Sequence, residues 1–368
     1  MGETQDRGSD LPGFVVVKRL GAPHPVESFT RYRPLAPAMV SAVRQGVRDI
    51  FEELGGRALL KPSGDVYIKP NAVDARPYTH TRPEVVRAAI EYWLDAGART
   101  VYLFENATQG NYTRIVFEAN GYAKICKETG ATPIYLDEEK TEVFPFRGKP
   151  SVVEGDPEGY ERTTFRMPRI VAEKLVREGE ENLYVSLPKL KTHSMGVVTL
   201  GIKSQWGLPA HGCRRFDHNF NLHHKLVDLL EHIRPDLTLI EGVEGTVHGH
   251  YPATSLADQC VKPFRVLVGS RNVLAADLVG ARIFGFEVDD VPQLKLSLER
   301  GYGNGVRGPD DIVLSGDLES LDAIDLVGDM PEEGKYPFDL IDHFPRDVRF
   351  VRGTERACRE GCVNNPLA

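Results

Sequence analysis

The chain has 368 residues and a formal net charge of −8, with 41% hydrophobic and 27% charged residues. This length accommodates one large domain or two of ordinary size, and the acidic balance argues against nucleic acid as the main partner. No apolar run approaches the roughly 18 residues that span a bilayer, so we expect no membrane partner.

The ends of the chain and its cysteines indicate a compartment. Residues 1–13 lack the basic start and apolar stretch of a secretory signal, and we expect a disordered tail there. The five cysteines are too few and too irregularly spaced for a disulfide framework. We therefore expect a cytoplasmic location, where thiols stay reduced.

Apolar β-branched runs alternate with amphipathic helical patterns along the chain. Several of the runs are continuously apolar, which is typical of strands buried on both faces. The alternation predicts an α/β fold with a mostly parallel sheet and helices on both faces. The predicted strands begin at Phe14, Val66, Thr100, Thr132, Asn182, Leu237, Phe264 and Asp311. The predicted helices lie near Met39, Pro83, Leu222 and Val273.

The same pattern divides the chain into two predicted α/β lobes. The first spans residues 14–138 and the second spans residues 182–330. Turn residues between them predict an irregular or β-rich insertion at 139–181. The residues at 331–368 are rich in Pro, Gly and charge, and we expect a tail that wraps the surface.

A basic, histidine-rich segment occupies residues 182–225. It carries six lysines and arginines and five histidines, and Asp217 is its only acid. Clustered cations repel each other unless something negative lies among them. The segment therefore predicts a binding site for a carboxylate, a phosphate or a metal-bound anion. A solvated basic loop is the alternative.

Polar residues follow five of the predicted strands. In open parallel sheets, ligands bind beyond the carboxyl ends of the strands. These residues therefore predict one convergent site, although each of them could instead cap a turn. They are Lys69 and Asn71, Glu105 and Asn106, Lys189 with Lys191 and His193, Glu241 and Glu244, and Ser270 and Arg271.

The PKLKTH segment has the residues for proton transfer. Side chains alternate along an extended chain, so Lys189, Lys191 and His193 are expected on one side. Crowded lysines lower each other's pKa, and histidine titrates near neutrality. We therefore predict His193, Lys191 and Lys203 as catalytic residues. The helical turn from Thr199 to Lys203 is expected to offer backbone N–H groups to the same anion.

Candidate metal ligands are scattered. Glu241 and His248 lie in one acidic run, and His218 lies in DHNFNLHH. Cys358 and Cys362 in CREGC could hold part of a metal or iron–sulfur site. None of these spacings matches an established motif, so hydrogen-bonded loop histidines and ordinary surface thiols are the alternatives. The candidate cofactors are a transition metal or an iron–sulfur cluster.

A series of segments resembles the family named domain of unknown function 362. The series runs roughly from Val66 to Leu314 and comprises IKPN, TRPEVVRAAIEYWLDAGA, SLPKLKTHSMGVVTLGIKSQWG, DLTLIEG and AADLVGARIFG. This resemblance implies an uncharacterised prokaryotic protein with redox or cluster-related work, since many members are joined to ferredoxin-type iron–sulfur modules. Its signature positions here are Lys69, Asn71, Lys189, Lys191, His193, Thr199, Lys203, Arg215 and His218.

Two features qualify this resemblance. The chain lacks the C-x-x-C-x-x-C series of the fused members and has only CREGC near its end. The segment DARPYTHTRPEVVRAAIEYWLDAGAR is also similar to the opening domain of lactate-racemase-like proteins, which bind a nickel-pincer nucleotide.

The sequence thus predicts a cytosolic enzyme acting on a small anionic metabolite by proton transfer or a redox step, with or without a metal. The alternatives are an iron–sulfur or redox accessory protein with a redox partner protein, a racemase-like epimerase, and a binding module without turnover. The predicted substrate-binding residues are Lys69, Asn71, Lys189, Thr199, Arg215 and His218.

Overall fold

The structure is a computed structural model. It describes residues 11–76, 78–108, 110–145, 164–193, 195–217, 222–247, 249, 257–318 and 320–321, without the side chains of residues 215–217. The predicted C-terminal tail at 331–368 and most of the predicted N-terminal tail lie outside these ranges.

Eleven strands of the described chain form one mainly parallel sheet, in the order β13-β1-β12-β10-β7-β2-β3-β4, with β8 and β11 paired to β10 and β9 paired to β8. A separate two-stranded antiparallel sheet is formed by β5 and β6. The bounds are β1 (Phe14–Arg19), β2 (Asp65–Pro70), β3 (Thr100–Glu105), β4 (Thr132–Tyr135), β5 (Thr141–Pro145), β6 (Thr164–Pro168), β7 (Leu183–Leu187), β8 (Lys189–His193), β9 (Val197–Val198), β10 (Leu237–Thr246), β11 (Val261–Lys262), β12 (Val266–Ser270) and β13 (Val313–Gly316).

Helices cover both faces of the large sheet. One face packs against α1, α2, α3 and α4, and the other packs against α6, α8, α10 and α11. The bounds are α1 (Pro37–Glu53), α2 (Pro83–Asp95), α3 (Thr113–Ala119), α4 (Tyr122–Thr129), α5 (Arg169–Val171), α6 (Leu200–Ser204), α7 (His211–Asp217), α8 (Leu222–His232), α9 (Ala257–Cys260), α10 (Val273–Ile283) and α11 (Pro292–Glu299). A π-helix at Ala172–Arg177 continues α5. The predicted α/β fold is confirmed.

The strands show why the sequence reads as continuously apolar. Val16 belongs to the core on one face of the sheet, while Val15 and Val17 belong to the core on the other. Because both faces are covered, neither set of alternating positions needs to be polar.

Strands from both predicted lobes share one sheet, since β7 pairs with β2 on one side and with β10 on the other. The sheet of β5 and β6 lies within the stretch predicted to be an irregular or β-rich insertion. The lobe boundaries themselves stay a prediction.

Four of the five predicted strand ends meet at one edge of the sheet. β2, β3, β7 and β10 run parallel, and β8 continues from β7 beside β10. The fifth strand, β12, runs antiparallel to β10 and pairs Ser270 with Thr238 near the start of β10. The prediction for Ser270 and Arg271 is therefore wrong. The Ser270 hydroxyl instead donates to the Phe14 carbonyl and accepts from Asn272 N–H.

Candidate functional site

A buried ion pair joins the ends of β2 and β3. Lys69 Nζ donates to Glu105 Oε2, and both side chains are buried. Burial lowers the pKa of Lys69 and raises the pKa of Glu105, while their mutual attraction opposes both changes. The backbone of Gly207 lies against this pair, and a Cβ at that position would come 2.7 Å from Lys69 Nζ. The site therefore needs glycine at position 207.

A second buried network begins at Lys189 on β8. Lys189 Nζ donates to Glu241 Oε2 over 2.8 Å and lies 3.9 Å from Glu244 Oε2. Glu244 Oε1 also accepts from Arg82 over 2.6 Å and lies 2.6 Å from His24 Nε2. Burial alone would raise the pKa of Glu244, but the hydrogen bond from His24 and the charges of Arg82 and Lys189 lower it to about 2. The charge of Lys189 is thus balanced within the protein.

Lys191 has no such balance. Its side chain is buried, and Nζ donates to the Thr79 carbonyl. No carboxylate of the described residues lies within ion-pair distance of Nζ. Burial lowers the pKa of Lys191 to about 7; the charge of Asp74 opposes this, and the charges of Lys203 and Lys189 add to it.

Lys203 on α6 is also without a counter-ion among the described residues. It is partly exposed and makes no hydrogen bond or ion pair with the part of the chain that the structure describes. Loss of solvation lowers the pKa of Lys203 to about 7, the charges of Arg214 and Lys69 add to the decrease, and Glu105 opposes it. Near neutral pH, Lys191 and Lys203 are therefore each partly neutral amines, which can act as bases or nucleophiles.

Arg214, and not the predicted Arg215, is the arginine whose side chain the structure describes at this edge. Its guanidinium donates to the Asn106 carbonyl over 3.0 Å, to Asn106 Oδ1 over 2.9 Å and to the Ala107 carbonyl over 2.7 Å. The side chain of Arg215 lies outside the described residues, so its role stays a prediction.

His193 ends β8 with its ring held in one tautomer. Its Nδ1 accepts from the N–H groups of Met195 and Gly196, both over 3.0 Å. Because N–H groups only donate, Nδ1 carries no proton, and a neutral ring has its proton on Nε2. Gln293 supports the same loop by donating to the Gly196 carbonyl over 2.7 Å. The proposed proton transfer by His193 stays a prediction.

The start of α6 does not offer its N–H groups to a ligand. Asp277 Oδ1 accepts from Gly201 N–H over 2.6 Å, and Oδ2 accepts from Ile202 N–H over 2.7 Å. Burial raises the pKa of Asp277 to about 7 against the effect of these two donors. The expectation that these N–H groups bind the anion is therefore wrong, because a carboxylate of α10 already occupies them.

Two other predicted residues have unpaired polar atoms. Thr199 and Asn71 are buried, and neither Thr199 Oγ1 nor Asn71 Oδ1 has a hydrogen-bond partner among the described residues. The Thr199 N–H donates to the Lys191 carbonyl over 2.8 Å. Asn71 exchanges hydrogen bonds with Thr81, two residues beyond the carbonyl that Lys191 contacts. Both residues are thus close to Lys191 along the hydrogen-bonded backbone.

His80 is a neighbour of the lysines that the sequence did not suggest. It is buried, its Nδ1 donates to the Arg76 carbonyl over 3.0 Å, and burial with the charges of Lys189 and Lys191 lowers its pKa to about 3. The ring is therefore neutral at physiological pH. The only sequence feature that could have pointed to His80 is its place between two threonines in YTHTRP.

Backbone strain is concentrated around the same lysines. Tyr78, Val197 and Leu200 have φ of 66°, 59° and 29°. A left-handed conformation is unusual for a bulky or β-branched residue and costs about 1–3 kcal/mol. Tyr78 precedes the carbonyl that binds Lys191, and Leu200 begins the helix that carries Lys203. Such strain is typical of functional sites.

The metal and thiol predictions are not addressed by this geometry. Glu241 is engaged by Lys189 and by Arg82 N–H. His218, His248, Cys358 and Cys362 lie outside the described residues, and their roles stay predictions. Within the described ranges, no group of three His, Cys, Asp or Glu residues is arranged to hold a metal ion. No helix in those ranges is long and apolar enough to cross a membrane.

Comparison with known proteins identifies the family. Over 263 residues, the chain is 26% identical to Thylakoid-associated protein sll1697 of Synechocystis sp. (strain ATCC 27184 / PCC 6803 / Kazusa), a match that covers 67% of this chain and 72% of that protein. The model of the family described as Domain of unknown function (DUF362) matches residues 66–282, which is more than half of the chain and includes Lys69, Lys191 and Lys203. The chain therefore belongs to the DUF362 family, as its motifs predicted.

Proposed function

We propose that this chain is an enzyme that binds a small metabolite bearing a carboxylate or phosphate at the edge formed by β2, β3, β8 and β10, and that Lys203 transfers a proton to or from it. The observation that supports this most is the pairing pattern of the lysines. Lys69 and Lys189 have glutamate partners, whereas Lys191 and Lys203 have none among the described residues.

Lys191 and Lys203 have no counter-ion among the described residues, and this favours an anionic ligand. Charging an amine that is removed from water costs free energy, and an anion between Lys191 and Lys203 offsets that cost. Binding then raises the pKa of both lysines, so the complex takes up protons from solution near neutral pH. The affinity for the anion is accordingly expected to fall as the pH rises above about 7.

The two lysines suit different roles. Lys191 is buried and fixed by the Thr79 carbonyl, so it suits binding of the anion. Lys203 is partly exposed and has no partner in the described chain, so its side chain is able to move its amine toward and away from a bound substrate. An amine with a pKa of about 7 is near the optimum for a general base at neutral pH. Isomerisation and epimerisation both require a base of this kind.

Isothermal titration calorimetry with phosphate and with succinate tests the binding half of this proposal. Wild type is expected to bind at pH 7, with a weaker affinity at pH 9. Lys191→Met and Lys203→Met each remove a hydrogen bond to a charged group, worth about 1.5–3 kcal/mol, and should weaken binding roughly 10- to 100-fold.

Lys295→Met is the matched control. Lys295 is exposed and lies 2.9 Å from Asp289, away from the lysine cluster. Its replacement should leave the affinity unchanged. The proposal fails if neither anion binds wild type, or if all three variants bind as wild type does.

A further inference from the structure

We propose that Lys203 forms a Schiff base with the carbonyl carbon of a small oxo acid whose carboxylate is bound by Lys191. This inference rests on the proposed function, because it uses the same two lysines. It names the substrate class, and for that class it gives the neutral amine of Lys203 the role of nucleophile instead of base. The evidence is the arrangement of paired and unpaired groups around Lys203.

Four lysines lie at this edge of the sheet, and Lys203 is the one that is positioned to react. The other three are Lys69, Lys189 and Lys191. Lys69 Nζ donates to Glu105 and Lys189 Nζ donates to Glu241, so both amino groups are already held by carboxylates. Lys191 is buried and its Nζ is held by the Thr79 carbonyl, which suits it to bind a carboxylate instead of reacting. Lys203 alone among these four combines partial exposure with no hydrogen bond or ion pair to the described residues. A desolvated lysine beside other cations is a known way to prepare an amine nucleophile.

The unpaired polar atoms of Asn71 and Thr199, two residues linked to the Lys191 region by backbone hydrogen bonds, favour a carbonyl substrate. A buried polar atom without a partner costs about 1–3 kcal/mol. Asn71 Oδ1 can only accept a hydrogen bond, and Thr199 Oγ1 can donate one. A bare carboxylate or a phosphate dianion offers no donor to Asn71. The hydroxyl that forms when an amine adds to a carbonyl offers both a donor and an acceptor.

The step is balanced without any further reactant. The lone pair of the neutral Lys203 amine forms a bond to the carbonyl carbon, the π electrons of the carbonyl move to its oxygen, and that oxygen takes up the proton that the nitrogen then loses. That oxygen takes a second proton and leaves as water while the nitrogen lone pair completes the carbon–nitrogen double bond. Overall, an ammonium and a carbonyl give a protonated imine and one water. The cationic imine then withdraws electrons from the adjacent carbon and eases proton removal there.

Reductive trapping with pyruvate and sodium cyanoborohydride tests this proposal. Mass spectrometry of the intact protein and of its peptides should show one reduced pyruvate adduct on Lys203. Lys295→Met should be labelled as wild type is. Lys203→Met should lose the adduct, and so should Lys203→Arg, which keeps the positive charge but cannot form an imine. Excess phosphate should slow the labelling, because it competes for Lys191.

The outcomes separate the two proposals. If calorimetry shows phosphate binding but no adduct forms on Lys203, or if the adduct forms on other lysines at the same rate, the Schiff base is refuted and anion binding stands. If neither phosphate binding nor an adduct is found, both proposals fail. Lys203→Arg keeps the test valid if Lys203→Met does not fold.

Discussion

Replacement of Lys191 by methionine is expected to remove part of the pH dependence of stability. The pKa of Lys191 falls from 10.5 to about 7 on folding. Between these values the unfolded chain binds more protons than the folded protein does, so the free energy of unfolding rises with pH. The destabilisation by this lysine is complete below pH 7 and disappears above pH 10.5.

The structure sets the size of the effect. One pKa unit corresponds to about 1.4 kcal/mol, so a charged Lys191 destabilises the folded protein by roughly 5 kcal/mol below pH 7. At pH 9 the folded amine is neutral, and the remaining cost is about 2 kcal/mol, because the unfolded amine is still charged. At pH 7 the folded amine is half protonated and the cost is about 4 kcal/mol, so wild type should gain about 2 kcal/mol between pH 7 and pH 9 from Lys191 alone.

Urea unfolding of wild type and Lys191→Met at both pH values measures this gain. The gain of the variant should be smaller by about 2 kcal/mol. Other groups whose ionisation in this range differs between the folded and unfolded states are common to both proteins and cancel. One is the thiol of Cys126, because burial raises its pKa from 9.0 to about 12 in the folded protein. Lys295→Met should show the wild-type gain. Equal gains in wild type and Lys191→Met would mean that Lys191 is not desolvated, and the reasoning about neutral lysines would be refuted.

Three further changes test the support of the site. Asp277→Asn leaves one of two N–H donors of α6 without an acceptor, and urea unfolding should show a loss of about 1–3 kcal/mol; unchanged stability would show that the carboxylate is not needed there. Gly207→Ala brings a Cβ to 2.7 Å from Lys69 Nζ and should displace the ends of Lys69 and Glu105, at a cost of about 1–3 kcal/mol in the same assay, whereas Gly212→Ala, with open space around its Cβ, should have little effect. Gln293→Leu removes the donor to the Gly196 carbonyl, and amide hydrogen exchange around that loop should become faster; an unchanged rate would contradict the supporting role.

The sequence was sufficient to predict that helices cover both faces of a sheet, but not to predict the direction of every strand. Apolar runs with buried residues on both faces, such as FVVVKR, require helices on both sides of the sheet. The residues of such a run do not show whether the strand is parallel or antiparallel to its neighbours, because the connection to the preceding strand sets this orientation. For this reason β12 was expected to run parallel to the others, whereas it is antiparallel to β1 and β10.

The sequence indicated the lysines of the candidate site but not their pairings. Strand ends and the period-two pattern pointed to Lys69, Lys189 and Lys191. The pairing of Lys69 with Glu105 depends on β2 and β3 being neighbours, which the strand sequences do not specify. Likewise, Asp277 lies more than 70 residues beyond the helix that it caps. That Lys203 has no partner in the described chain follows only from these tertiary contacts.

Anomalous diffraction from crystals soaked in selenate, a dianion with the shape of sulfate, is the most direct test of whether Lys191 and Lys203 bind one anion together. We expect an anomalous peak at the sheet edge, with oxygen atoms within about 2.7–3.2 Å of Nζ of both Lys191 and Lys203. The peak should be absent in crystals of Lys203→Met soaked in the same way. Selenate bound elsewhere but not at these two lysines, or a peak that persists at full height in the variant, would show that Lys191 and Lys203 do not form an anion site.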